Sequence, residues 1–77
     1  MKFYEVGITS PTGMNFYIYC KTYYKSIADL VFKELEKKFY YSQYLYDCSL
    51  KIIEIDDTKD LQSLGNHKTI KEHKFEW

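Results

Sequence analysis

The sequence predicts an α+β fold: a two-layer sandwich in which one helix packs across one face of a small, mostly antiparallel sheet. Three observations support it. Residues 26–39 have the apolar period of an amphipathic helix, two alternating segments flank a turn containing proline and glycine, and residues 47–56 form a third apolar segment. At 77 residues the chain has the length of a single domain, spanning positions 1–77.

The first two strands are predicted over residues 2–10 and 14–22, as a hairpin closed by a turn from Ser10 to Gly13. Pro11 presets φ in this turn, and Gly13 tolerates a left-handed backbone. Strict alternation assigns one face of the hairpin to Tyr4, Val6, Ile8, Phe16, Ile18 and Cys20.

The helix is predicted over residues 26–39, with its end near Tyr41. Ser26 is the expected N-cap, and Asp29 stands where the acid of a capping box would reach back to it. The residues expected to face the sheet are Ile27, Ala28, Val31, Phe32, Leu35 and Phe39. Residues 42–46 are predicted as a loop, although further helical turns are an alternative.

The third strand, residues 47–56, carries apolar side chains on both faces. This pattern predicts either an interior strand or a bulge around Ile52 and Ile53 that changes the phase of the alternation. Asp57 is then expected to cap a short helical turn that Gly65 closes. Residues 66–68 are predicted as loop.

The last segment, residues 69–77, alternates weakly and is predicted to be an edge strand. A C-terminal helix and a frayed tail are the competing interpretations.

One helix cannot cover both faces of this sheet. The helix-covered face is predicted to contain the six hairpin residues named above together with Leu50 and Ile52. The opposite face is predicted to contain Phe3, Tyr17, Tyr19, Lys21, Lys51, Ile53 and Ile55, with Phe75 and Trp77. An exposed aromatic patch of this kind usually marks a binding surface. Alternatively, the C-terminal segment covers it, or cross-strand aromatic pairs simply stabilise the sheet.

The predicted function is therefore a non-enzymatic protein-interaction module, cytoplasmic and homodimeric, that acts on a protein partner. The predicted contacts are Phe3, Tyr17, Tyr19, Lys21, Lys51, Phe75 and Trp77, with Tyr40 and Tyr44 as a second possible ridge. Short, aromatic-rich chains without catalytic motifs are typical of viruses and mobile elements, which favours an inhibitor or adaptor that occludes a macromolecular partner of the host.

Two other function classes remain open. A nucleic-acid-binding accessory protein would stack bases on Phe3, Tyr17 and Tyr19. Eleven lysines balanced by eleven acids, with no arginine, disfavour this hypothesis because electrostatics supplies most non-specific affinity for nucleic acids. A small-ligand sponge or sensor with a site at a dimer interface is the third class.

The sequence predicts no cofactor, no metal site and no membrane association. Cys20, Cys48, His67 and His73 lack the tight pairing of a zinc site, and the acidic residues around Asp57 are explained by a solvated helix start. No apolar segment of signal-peptide or membrane-spanning length is present in the sequence. Two cysteines are too few for a disulfide framework, which predicts free thiols.

Overall fold

The computed structural model describes residues 2–40, 43–56 and 67–75. Within these residues four strands form one antiparallel sheet in the order β2-β1-β3-β4, and one α-helix lies on one face of it. The elements are β1 (Lys2–Thr9), β2 (Phe16–Thr22), α1 (Lys25–Lys38), a 3₁₀ turn (Gln43–Leu45), β3 (Ser49–Asp56) and β4 (His67–Lys74). The predicted α+β fold is confirmed. The predicted helical turn after Asp57 lies outside the described residues.

The β1–β2 hairpin forms as predicted. The backbone N–H of Gly13 donates to the Ser10 carbonyl at 2.9 Å, and Gly13 adopts a φ of +76°. The N–H of Ser10 donates to the Asn15 carbonyl at 3.0 Å, which fixes the register at the start of the ladder. Glycine suits this turn because the left-handed region carries no steric cost without a Cβ.

Helix α1 begins at Lys25, one residue earlier than predicted, so the assignment of Ser26 as N-cap is wrong. Tyr24 occupies the N-cap position and its side chain makes no capping hydrogen bond. The Tyr24 carbonyl accepts hydrogen bonds from the N–H groups of Ile27 and Ala28, both at 3.1 Å, so the first turn closes before a Ser26 cap could act. Helix α1 therefore starts without a side-chain cap.

The core lies between α1 and the two central strands. Ala28 and Phe32 on the helix are buried, with Val31, Leu35 and Phe39 partly buried beside them. The predicted helix stripe is confirmed except for Ile27, which is 43% exposed. The sheet contributes Val6, Ile8, Cys48, Leu50, Ile52 and Phe75 to the same buried cluster. Phe75 was predicted for the opposite face, and that prediction is wrong.

Strand β3 is interior, as predicted, and pairs with β1 without a break from Lys2↔Asp56 to Thr9↔Ser49. The register shift near Ile52 and Ile53 appears only against β4, where Ile70 is the additional residue. The bulge therefore belongs to β4 rather than to β3. Strand β4 is an edge strand as predicted, but it begins at His67, so the predicted loop assignment of His67 and Lys68 is wrong.

A second bulge, in β2, reverses the face on which some of the β2 side chains lie. Val6 pairs with Cys20 and Gly7 pairs with Ile18, which leaves Tyr19 as the additional residue. Because directly paired residues share a face, Tyr17 lies with Ile8 on the helix side, and the Tyr19 ring contacts Phe39 at 6.0 Å between centroids. Tyr17 and Tyr19 are thus on the face that α1 covers.

Phe16 and Ile18 are correspondingly on the opposite face, which reverses their predicted placement as well. The alternation of β2 was interpreted without an additional residue, and one such residue moves every side chain beyond it to the other face.

Candidate interaction surface

The open face is the sheet face opposite α1. The register places the predicted residues Phe3, Lys21 and Lys51 there, together with the partly buried Ile53 and the buried Ile55. It adds the two β2 residues Phe16 and Ile18. Tyr17, Tyr19 and Phe75 are not on it, and Trp77 lies outside the described residues. The predicted set of contacts is therefore divided between the two sides of the sheet.

One end of the open face is an aromatic and cationic cluster. The Phe3 and Tyr23 rings meet edge to face with centroids 6.0 Å apart, and the Lys21 ammonium lies 4.6 Å from the centre of the Phe3 ring. Lys21 thus makes a cation–π contact with a partly buried ring, a favourable arrangement even at a surface. Tyr23 was not among the predicted contacts because it follows β2 in a segment interpreted as a linker.

The middle of the open face depends on Gly7. A Cβ at this position would overlap the Tyr17 carbonyl oxygen and approach Phe16 Cζ to 2.9 Å. The Phe16 ring therefore occupies the space that a β1 side chain would otherwise fill, as aromatic side chains do beside strand glycines. Gly7 is required here by close approach of the neighbouring strand.

The other end of the open face is polar. Lys51 Nζ lies 3.2 Å from Glu72 Oε2, and the Lys51 side chain is only 25% exposed. Lys74 contacts Asp47 at 3.9 Å beside it. The character of the open face therefore changes from aromatic and aliphatic at β2 to ionic at β4.

The most exposed apolar part of the sheet is the β2 edge surface, defined here as Tyr17, Ile18 and Tyr19. These consecutive residues are 60%, 51% and 54% exposed. Tyr17 and Tyr19 flank the edge on the helix side, and Ile18 flanks it on the open face. Tyr17 and Tyr19 are two positions apart and share a side, and the bulge at Tyr19 makes that side the helix side.

The main chain of this edge is also available. Hydrogen-bonded and non-hydrogen-bonded pairs alternate along an antiparallel ladder. Counting from the bonded pair Ser10 and Asn15, Tyr17 is in a bonded position, whereas Ile18 is in a non-bonded position opposite Gly7. The N–H and carbonyl of Ile18 therefore point away from β1, toward the outer side of an edge strand.

The second predicted ridge does not form as a helical surface. Helix α1 ends at Lys38, and Tyr40 and Tyr44 belong to a turn and to the separate 3₁₀ turn. Both side chains are nonetheless exposed, Tyr40 by 56% and Tyr44 by 97%.

Both thiols are free, with Cys48 buried and Cys20 partly buried. Strand β1 lies between β2, which carries Cys20, and β3, which follows Cys48. Across residues 2–40, 43–56 and 67–75, no three His, Cys, Asp or Glu side chains are grouped so as to hold a metal ion. No described helix has the length and apolar character needed to cross a membrane.

Comparison of this chain with protein-family models, with curated proteins and with solved structures finds no match. Its function must therefore be inferred from the geometry of its own surfaces.

Proposed function

We propose that this protein is a small cytoplasmic protein-interaction module that binds a partner protein by adding an extended segment of that partner to strand β2. The observation that carries the proposal is the β2 edge surface, where three consecutive large apolar side chains are each more than half exposed. These side chains surround one edge of the sheet, Tyr17 and Tyr19 from the helix side and Ile18 from the open face, and exposed apolar surface of this kind often marks an interaction site.

Strand addition suits this edge for two reasons. The outward N–H and carbonyl of Ile18 supply main-chain hydrogen bonds, which give affinity in this mode of recognition. The flanking tyrosines supply large contact areas, and tyrosine is a residue type enriched in interface hot spots. Strand β2 contains no acidic residue and a single lysine, Lys21, whose ammonium already lies over Phe3.

Occlusion of the partner, as by an inhibitor or an adaptor, is the mode of action we favour. A chain of 77 residues has few side chains to arrange into a catalytic site, but it has enough surface to cover part of a partner protein. A second copy of the chain and a different protein are the two kinds of partner that the β2 edge accommodates. Light scattering over a range of concentrations distinguishes them, because only self-association raises the molar mass of the purified protein.

The decisive experiment uses Ile18→Pro and Ile18→Ala as a matched pair. Proline removes the outward N–H and is tolerated at edge strands, whereas alanine removes most of the side chain and keeps the N–H. Partners captured by the wild-type protein are identified by mass spectrometry, purified and titrated. We expect Ile18→Pro to weaken binding roughly tenfold or more beyond Ile18→Ala, equivalent to about one or two main-chain hydrogen bonds.

A double variant, Tyr17→Ala with Tyr19→Ala, tests the side-chain contribution. If it keeps its fold, its molar mass and its affinity for the captured partner, the proposal is wrong. Photo-crosslinkers placed at Tyr17 and, as a control, at Thr69 on the opposite edge locate the contact directly. Crosslinks from Thr69 but not from Tyr17 would place the partner at the wrong edge.

The nucleic-acid hypothesis requires Phe3, Tyr17 and Tyr19 to stack bases from one face of the sheet. It is disfavoured because Phe3 is on the open face, whereas Tyr17 and Tyr19 are on the helix side. A titration with single-stranded oligonucleotides at low ionic strength tests it independently. Binding that decreases steeply with salt would restore this function in place of protein recognition.

A further inference from the structure

A groove lies between α1 and β4, on the side of the molecule away from β2. It encloses about 480 Å³ and is lined by Lys25, Ser26, Asp29, Leu30, Lys33, Ile70 and Lys71. Its size falls within the range of recognition pockets. None of its lining residues belongs to the β2 edge surface, so it is a second and separate site.

The groove exists because α1 is displaced toward one side of the sheet. The helix packs against β1, β2 and β3, and less against β4. The bulge in β4 then places Ile70 and Lys71 consecutively on the helix side, opposite Ile52. Bulges commonly redirect side chains at functional sites, and this one adds an aliphatic and a cationic group to the groove.

The lining is apolar in part and strongly cationic elsewhere. Leu30 is 61% exposed, although it is a large aliphatic side chain, and Ile70 is partly buried. Three lysines and one aspartate contribute the charged groups, in a chain with no net charge. The positive end of the α1 dipole adds to this potential, since the first turn contains no acidic residue.

The single aspartate is already neutralised. Asp29 Oδ2 lies 3.7 Å from Lys25 Nζ. Among the described residues, no ion pair involves Lys33 or Lys71, and the Lys71 ammonium lies 4.7 Å from the centre of the Phe32 ring. Two ammonium groups therefore border the groove without a carboxylate partner from this part of the chain.

We propose that this groove binds a short acidic segment of another protein, one in which aliphatic side chains alternate with carboxylates. The aliphatic side chains contact Leu30 and Ile70, and the carboxylates contact Lys33 and Lys71. Charge complementarity favours this occupant. The whole chain has no net charge, but the lining of the groove has three lysines and only one aspartate.

The proposal is tested with a short fluorescein-labelled peptide of alternating glutamate and leucine, and with a matched peptide in which lysine replaces glutamate. Fluorescence anisotropy should show saturable binding of the glutamate peptide that weakens as salt is raised, and no binding of the lysine peptide. Amide chemical shifts should change at Leu30, Lys33, Ile70 and Lys71 and remain unchanged at Tyr17 and Ile18.

Charge reversal locates the site. Lys33→Glu should weaken binding of the glutamate peptide roughly three- to tenfold, whereas Lys38→Glu, an equal charge change on the other side of the same helix, should leave it nearly unchanged. Leu30→Ser tests the apolar part and should weaken binding without altering the salt dependence. Equal effects of Lys33→Glu and Lys38→Glu would overturn the proposal.

Two further results would also overturn it: equal binding of both peptides, and binding of a single-stranded oligonucleotide at the groove in preference to the glutamate peptide. A surface lysine variant such as Lys33→Glu is expected to keep its fold, and circular dichroism confirms this for each variant before titration.

Discussion

The two edge strands of the sheet, β2 and β4, differ in the side chains that they carry. Each carries one bulge, and within residues 2–40, 43–56 and 67–75 each pairs with a single neighbouring strand. Strand β4 has three lysines and a glutamate among eight residues, with contacts from Lys51 to Glu72 and from Lys74 to Asp47. Strand β2 has one lysine among seven residues and exposes Tyr17, Ile18 and Tyr19.

Charged side chains are a common way in which proteins prevent edge strands from pairing with other chains. Strand β4 follows this pattern and β2 does not. This difference supports the proposal that a partner strand is added at β2 rather than at β4. The edges also contact the helix differently. Strand β4 does so through His73 Nδ1, which lies 3.2 Å from Glu36 Oε2, and through Lys71 over the Phe32 ring, whereas β2 does so through the Tyr19 ring against Phe39, the C-cap residue of α1.

The largest expected loss of stability comes from a substitution in the interior strand β3, which affects the whole sheet and therefore both edge strands. Ile52 is fully buried in β3, with Val6 on one side and the β4 bulge on the other. Ile52→Ala should lower the free energy of unfolding by about 2–5 kcal/mol, a large part of the stability of a small domain. Urea unfolding measures it, with Ile18→Ala as the exposed control; a similar change in both variants would contradict the assigned core.

The next effect should be confined to β2. Gly7→Ala forces the new methyl group against the Tyr17 carbonyl and should cost about 1–3 kcal/mol of unfolding free energy. Amide exchange should accelerate in β2 and much less in β4.

Gly13→Ala is the matched control for this prediction. It has nothing within 4 Å and is opposed only by its positive φ. A larger loss of stability for Gly13→Ala than for Gly7→Ala would show that strand approach is not what requires glycine at position 7.

A smaller loss of stability is expected when the contacts of β2 and β4 with the helix are removed one at a time. Tyr19→Ala removes a ring pair that contributes about 0.5–1.5 kcal/mol beyond its buried area, and Glu36→Ala removes a partly exposed polar contact with His73 that contributes about 0.2–1 kcal/mol. Thermal melts measure both. A larger loss of stability for Glu36→Ala than for Tyr19→Ala would contradict this order.

The smallest expected effect on stability has the clearest consequence for function. Ile18→Lys gives β2 a charge of the kind that β4 already carries, and at an exposed position it should change the unfolding free energy by no more than about 0.5 kcal/mol. Its affinity for a strand-adding partner should nevertheless decrease. A variant that loses stability but keeps partner affinity would show that Ile18 has a structural role only.

The fold was largely predictable because it depends on patterns that are local in sequence. The stripe of α1, the turn at Gly13 and the two-sided apolar character of β3 each predict their elements, and the structure confirms them. The residues of the candidate surface were predicted correctly only in part. Phe3, Lys21 and Lys51 lie on the open face as expected, but Tyr17, Tyr19 and Phe75 do not.

The errors share one physical cause. Alternation predicts a face only while each residue has a partner, and the additional residues Tyr19 and Ile70 change the phase within β2 and β4. Nothing in the residue types at these positions marks them as bulges. Gly7 was a partial signal, because a glycine within a strand often accompanies a close approach or a bulge in a neighbouring strand.

The sequence by itself determined which segments become helix and strand, because periodicity and turn chemistry act between neighbouring residues. The tertiary structure decided which face each β2 side chain occupies, how far α1 extends across the sheet, and hence where the groove beside β4 lies. These features depend on strand register and helix placement, which are set by contacts between residues far apart in the chain.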